Sequence, residues 1–78
     1  SELPGLGVQF RAEVSRSLKR IIDFPTSYQS FGPRTRRCVI ARFPYGIIYT
    51  FDSEAAEILV VAIAHLHRRP NYWVDRES

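Results

Sequence analysis

The stretch RTRRCVIARFPYGIIYTFDSEAAEILVVAIAH, residues 34–65, decides the fold, because it divides into three strand-like runs joined by short polar or turn-forming links. Residues 34–43 interleave basic and apolar positions, with Cys38 and Ile40 on one face and Val39, Ala41 and Phe43 on the other. Pro44, Tyr45 and Gly46 predict a tight turn. Residues 47–51 are β-branched or aromatic, as strands prefer. Residues 52–56 form a polar-then-small loop, and residues 57–64 the third strand. Links this short join antiparallel neighbours, so the three runs predict a meander.

The third run has apolar residues at every position from Ile58 to Ala64. A strand of that kind needs cover on both faces. Upstream, Leu6, Phe10, Val14, Leu18, Ile21 and Ile22 recur at steps of three and four, the spacing of one buried helical face, while Arg11, Glu13, Arg16, Lys19 and Arg20 take the other. Pro25 cannot continue a helix and biases its predecessor away from one, so the helix ends near Asp23. Residues 26–33, with Ser27, Ser30, Gly32 and Pro33, predict an irregular connection. The expectation is a single α+β domain over residues 1–78, with one amphipathic helix packed on a three-stranded antiparallel meander. One helix covers one side of a sheet. The other side calls for the C-terminal segment, a second copy or a partner.

At 78 residues the chain buries only about 60% of its unfolded surface, which leaves stability marginal without help. Its one cysteine, Cys38, cannot form an internal disulfide, and no Cys/His spacing fits a structural zinc site. No metal and no cofactor is expected. A lone thiol, no signal-peptide pattern and an apolar run too short for a bilayer predict a cytoplasmic protein with no membrane association. The net charge of +3 comes from ten arginines and one lysine against eight acidic residues. Arginine's planar fork pairs with both phosphate and carboxylate, so nucleic acid and acidic protein are both open as partners.

Two blocks carry a family likeness. Arg42-Phe-Pro-Tyr-Gly-Ile-Ile-Tyr49 follows the basic strand, and residues 58–65 lead into Arg68, Arg69, Pro70, Tyr72, Trp73 and Arg76. In this order and spacing they resemble the C-terminal half of the RelE/ParE (plasmid stabilisation) toxin superfamily, with the closing His–Arg-Arg-Pro–Tyr-Trp–Arg pattern closer to ParE. Pro4-Gly-Leu-Gly7 and the helix around Phe10 resemble that family's second helix. Family members begin with a further strand and helix, so the resemblance implies an N-terminally shortened toxin fold. It also implies the toxin component of a type II toxin–antitoxin system, inhibiting growth through a protein target such as DNA gyrase. The alternatives are a RelE-like ribosome-dependent mRNA endoribonuclease and a truncated, non-toxic remnant that still binds antitoxin. The implied partners are a cognate antitoxin, then gyrase or the ribosome and its mRNA, in a homodimer or a toxin–antitoxin hetero-oligomer.

On alternating geometry Arg34, Arg36 and Arg42 share one strand face and Arg37 takes the other. They form either a phosphate-contacting or antitoxin-contacting surface or a solvated strand protected by charge, and Trp73 and Arg76 join Arg34, Arg36 and Arg42 as partner-binding candidates. Arg68, Arg69 and Tyr72 are the catalytic candidates of the RelE-like alternative, arginine stabilising phosphate charge and the ring stacking on a base. Against that role, Tyr72 and Trp73 can fold back over the sheet and bury their rings. The general-base lysines of the RelE branch find little counterpart, since Lys19 is the only lysine and sits on the helix. His65 and His67 suit acid–base work in type, but read better as a hydrogen-bonded strand closure than as a metal pair. Cys38 reads as strand packing.

Overall fold

The computed structural model describes residues 6–67, and Arg68, Arg69, Tyr72, Trp73 and Arg76 lie outside the described residues. The fold is α+β. Helix α1 (Leu6–Asp23) is followed by strands β1 (Gln29–Ser30), β2 (Thr35–Val39), β3 (Tyr45–Asp52) and β4 (Glu57–His65). The sheet has the order β1-β2-β3-β4 and every pairing is antiparallel. The expected three-stranded meander is thus corrected to four strands. The extra strand is a two-residue bridge, Gln29 opposite Arg37 and Ser30 opposite Arg36. It is pinned by the Phe31 N–H donating to the Thr35 carbonyl at 2.8 Å and by the Ser30 hydroxyl donating to the Gly32 carbonyl.

Helix α1 runs to the predicted end at Asp23, where the Phe24 N–H closes the last turn on the Arg20 carbonyl. Its inward face differs from the expected one. Phe10, Glu13, Val14, Ser17, Leu18 and Ile21 turn toward the sheet, whereas Ile22 is 67% exposed. The inward steps of three and four from Phe10 to Ile21 follow the 3.6-residue period, and Ile22 falls about 100° off that stripe. Glu13, expected on the solvent face, is buried instead.

The core forms where this helix face meets Cys38 in β2, Ile40 just beyond it, and Ile47 and Tyr49 on β3. Around it pack Tyr28, Phe43, Tyr45, Phe51 and Ile58. Phe10 meets Phe43 edge-on at 5.0 Å between centroids and Tyr45 at 5.7 Å, a geometry that suits the ring quadrupoles. Tyr49 is fully buried at the sheet centre, and its hydroxyl donates at 2.6 Å to the Pro25 carbonyl. That bond ties the segment leaving the helix to the middle strand.

The hairpin between β2 and β3 turns earlier than expected. Strand β2 stops at Val39, and residues 41–44 make the turn, closed by the Ile40 N–H on the Tyr45 carbonyl at 2.9 Å. Arg42 has a φ of 74°, a left-handed conformation that bends the chain back, and Pro44 has no N–H for the ladder. Tyr45 and Gly46 therefore open β3 rather than the turn, and Arg42 does not share a strand face with Arg34 and Arg36. Between β3 and β4, the Asp52 carboxylate accepts the N–H groups of Glu54 and Ala55, an Asx-type turn that Ala56 completes with a φ of 55°.

Strand β4 carries a bulge. Ile48 pairs with Ala62 but Tyr49 pairs with Val60, so Val61 is the extra residue. The bulge resets the alternation: Ile58 and Val60 before it, and Ile63 and His65 after it, all share the helix-side face with Phe51, Tyr49, Ile47 and Tyr45.

Candidate functional site

Among the described residues strand β4 is the sheet's edge, and the helix lies nearest β2, two strands away. Cover from the described residues therefore runs out across the ribbon. On the helix side Ile58 packs against the core, but Val60 and Ile63 are each 43% exposed. On the opposite face Leu59 is 66% exposed. Ala64, Gly46 and Ile48 on that face are buried. Part of the cover is visible at Gly46, where an added Cβ would lie 2.9 Å from Arg37 Cγ and 3.3 Å from Leu66 Cδ2. The Arg37 stem and Leu66 thus lie across the glycine. The strand runs from Glu57 to His65 with no charged residue between its ends. An apolar edge strand of this length is a surface on which another strand or helix can dock.

The arginines do not form one patch. Arg36, in β2, donates to the backbone carbonyls of Tyr28 at 2.8 Å and Thr26 at 3.3 Å, so its guanidinium holds the loop before β1. Arg37 points to the other face, donates to Gln29 Oε1 at 2.8 Å, and lies 5.2 Å from the Phe31 ring centroid. Its Nε is buried without a hydrogen-bond partner. Arg34 is exposed just before β2, its carbonyl accepting the Phe51 N–H. Arg42 is exposed in the 41–44 turn, beside the first half of α1.

That turn and α1 enclose a cleft of about 390 Å³ lined by Gln9, Ala12, Glu13, Arg16, Arg42 and Phe43. Glu13 accepts a charge-assisted hydrogen bond from Arg16 at 2.7 Å. Sequence reasoning placed Arg16 and Glu13 on a solvated helix face and found no site there. The signal was the Glu13/Arg16 spacing of three, which brings the two side chains together on a helix, but only the position of the 41–44 turn makes a cleft of it.

At the end of β4, His65 packs edge-on against Tyr45 at 5.1 Å, its register partner, and its Nδ1 accepts the His67 N–H at 3.0 Å. The rings of His65 and His67 lie 5.4 Å apart. Among the described residues no group of three or more His, Cys, Asp or Glu side chains is placed to hold a metal ion. Cys38 is buried in the core with its thiol directed at the Val39 carbonyl. Burial raises the Tyr49 phenol above its ordinary value, with Arg36 partly opposing. Among the described residues no helix is long and apolar enough to cross a membrane. No protein-family model, no curated protein and no solved structure matches the chain.

Proposed function

We propose that this chain is the toxin component of a type II toxin–antitoxin pair of the RelE/ParE kind. It acts on the ParE side of that family, by binding a protein target such as DNA gyrase, and is held inactive by a cognate antitoxin. The observation that carries the reading is the apolar edge strand β4, where Leu59, Val60 and Ile63 stay open to solvent beside a small core. Burying such a strip stabilises an assembly by roughly 25 cal/mol for each Å² of apolar surface removed from water. A 78-residue chain with a core this small gains from any partner that binds only its folded form. The resemblance of residues 42–49 and of the segment from Ile58 onward supplies the kind of partner.

The ParE-like reading is favoured over the nuclease because the general-base lysines of the RelE branch find little counterpart here: Lys19 is the only lysine, and it lies on α1. The test is induced expression in a bacterial host, followed by assays with purified protein. Growth arrest, with supercoiling by gyrase blocked and mRNA left intact on programmed ribosomes, is the expected result. mRNA cut in the ribosomal A site would replace this reading with the nuclease. Harmless expression, with gyrase unaffected, would leave only a remnant that binds an antitoxin.

A further inference from the structure

The cleft between α1 and the 41–44 turn, at about 390 Å³, is in the size range of pockets that take a side chain or small ligand. Its walls carry two guanidiniums, Arg16 and Arg42, against one carboxylate, Glu13, which leaves an excess of one positive charge. Glu13 is turned inward and only 9% exposed, and its bond to Arg16 holds that guanidinium against the wall. Phe43 is fixed by its edge-on contact with Phe10. Arg42 is the least expected member. Its backbone takes a φ of 74°, which glycine adopts freely and a long side chain does not. A turn selected only to reverse the chain would do better with glycine there. Strained positions of this kind gather where a side chain has a task.

We propose that this cleft is a recognition notch for a carboxylate side chain of an acidic peptide. Arg42 is the primary ion-pairing group, Arg16 a second donor kept in place by Glu13, and Phe43 and Ala12 receive the methylene stem. A carboxylate suits the notch better than a phosphate for two reasons. Its single charge matches the excess, whereas a doubly charged group would meet repulsion from Glu13. Its planar oxygens also fit the guanidinium fork over an apolar floor. The proposal deepens the neutralised-toxin reading and rests on it only for the partner's identity.

The test is titration of the ¹⁵N-labelled protein with a blocked peptide of alternating Glu and Leu, with its Lys/Leu counterpart, and with inorganic phosphate, at one ionic strength. The Glu/Leu peptide should shift the amides of Gln9, Ala12, Arg42 and Phe43 saturably, and the other two should not. Arg42→Gly should raise the melting temperature, because glycine relaxes the turn, and yet weaken peptide binding about tenfold, the loss of one charge-assisted hydrogen bond. Arg16→Gln should weaken it as well. No saturable shift, phosphate or the Lys/Leu peptide bound as tightly as the Glu/Leu peptide, or Arg42→Gly binding unchanged would each overturn the notch. None of these outcomes depends on growth arrest or gyrase, so this proposal and the toxin reading can fail separately.

Discussion

Replacing Tyr49 with phenylalanine should destabilise the protein at neutral pH and do so less in alkali. The ring is fully buried, and the substitution keeps its volume while deleting the hydroxyl that donates to the Pro25 carbonyl at 2.6 Å. A buried hydrogen bond whose acceptor is left behind costs about 1–2 kcal/mol. For a chain of this size that lowers the melting temperature by about 5–12 °C. The pH dependence follows from the same burial. The folded-state phenol has its pKa raised above the ordinary 10.0, because desolvation disfavours the phenolate. Above pH 10 the unfolded chain therefore binds fewer protons than the folded one, and unfolding becomes easier as pH rises. The stability tied to Tyr49 is whole below that point and is lost as pH climbs through the folded pKa. As pH climbs past 10 the native protein should lose stability through this group, and Tyr49→Phe should lose none through that position. Urea titrations of both proteins at pH 7 and pH 11 measure the difference, in which the titration of the other tyrosines cancels. A gap that stays constant across that range, or no gap at pH 7, would refute the argument.

Other substitutions probe the sheet separately. Gly46→Ala would push a Cβ to 2.9 Å from Arg37 Cγ, near the base of that side chain, so a loss of about 1–3 kcal/mol is expected in urea denaturation, together with a changed near-ultraviolet signal from Phe31. Arg36→Ala removes the donor to the Tyr28 and Thr26 carbonyls and should cost about 1 kcal/mol, with faster hydrogen exchange at Ser30 and Phe31, whose placement depends on that loop. The pair Leu59→Thr and Ile63→Thr acts on exposed positions, so thermal stability should stay within about 1 kcal/mol while capture of a co-expressed antitoxin falls. Undiminished capture would move the docking surface away from β4.

Much of the architecture was legible because the informative signals are local. Pro25 stops the helix whatever the tertiary context, and the β-branched and aromatic run at Ile47 to Phe51 falls inside β3. The two-residue β1 has no periodicity to read. It exists because Arg36 and Arg37 bring the chain back to Tyr28 and Gln29, a long-range fact. The sequence points to a turn over Pro44, Tyr45 and Gly46, whereas the reversal depends on a left-handed Arg42 that no propensity favours. Polarity alone puts Glu13 on the solvent face, yet Glu13 and Ser17 fall on the stripe between Phe10 and Ile21 and are carried inward by it.

The ribbon is apolar on both faces, as the unbroken run from Ile58 to Ala64 implies, but the residues on each face are not those that a strict period of two would give. The bulge at Val61 breaks that period, so Ile58, Val60 and Ile63 serve a single face with Tyr49 and Ile47. What faces the other way is Leu59, Ala62 and Ala64, of which Ala64 is buried and Leu59 stands out. The demand for cover is therefore narrower than a bare sheet face. It is a strip along the edge, Val60 and Ile63 on one side and Leu59 on the other, that a single strand or short helix can span. A bulge also twists an edge away from regular pairing. An in-plane pairing with a second β4 would have to reconcile two shifted phases, whereas a partner whose own sequence is matched to the bulge meets only one. That asymmetry favours a dedicated partner chain over self-association, and it makes Val61 the position at which the two could be told apart.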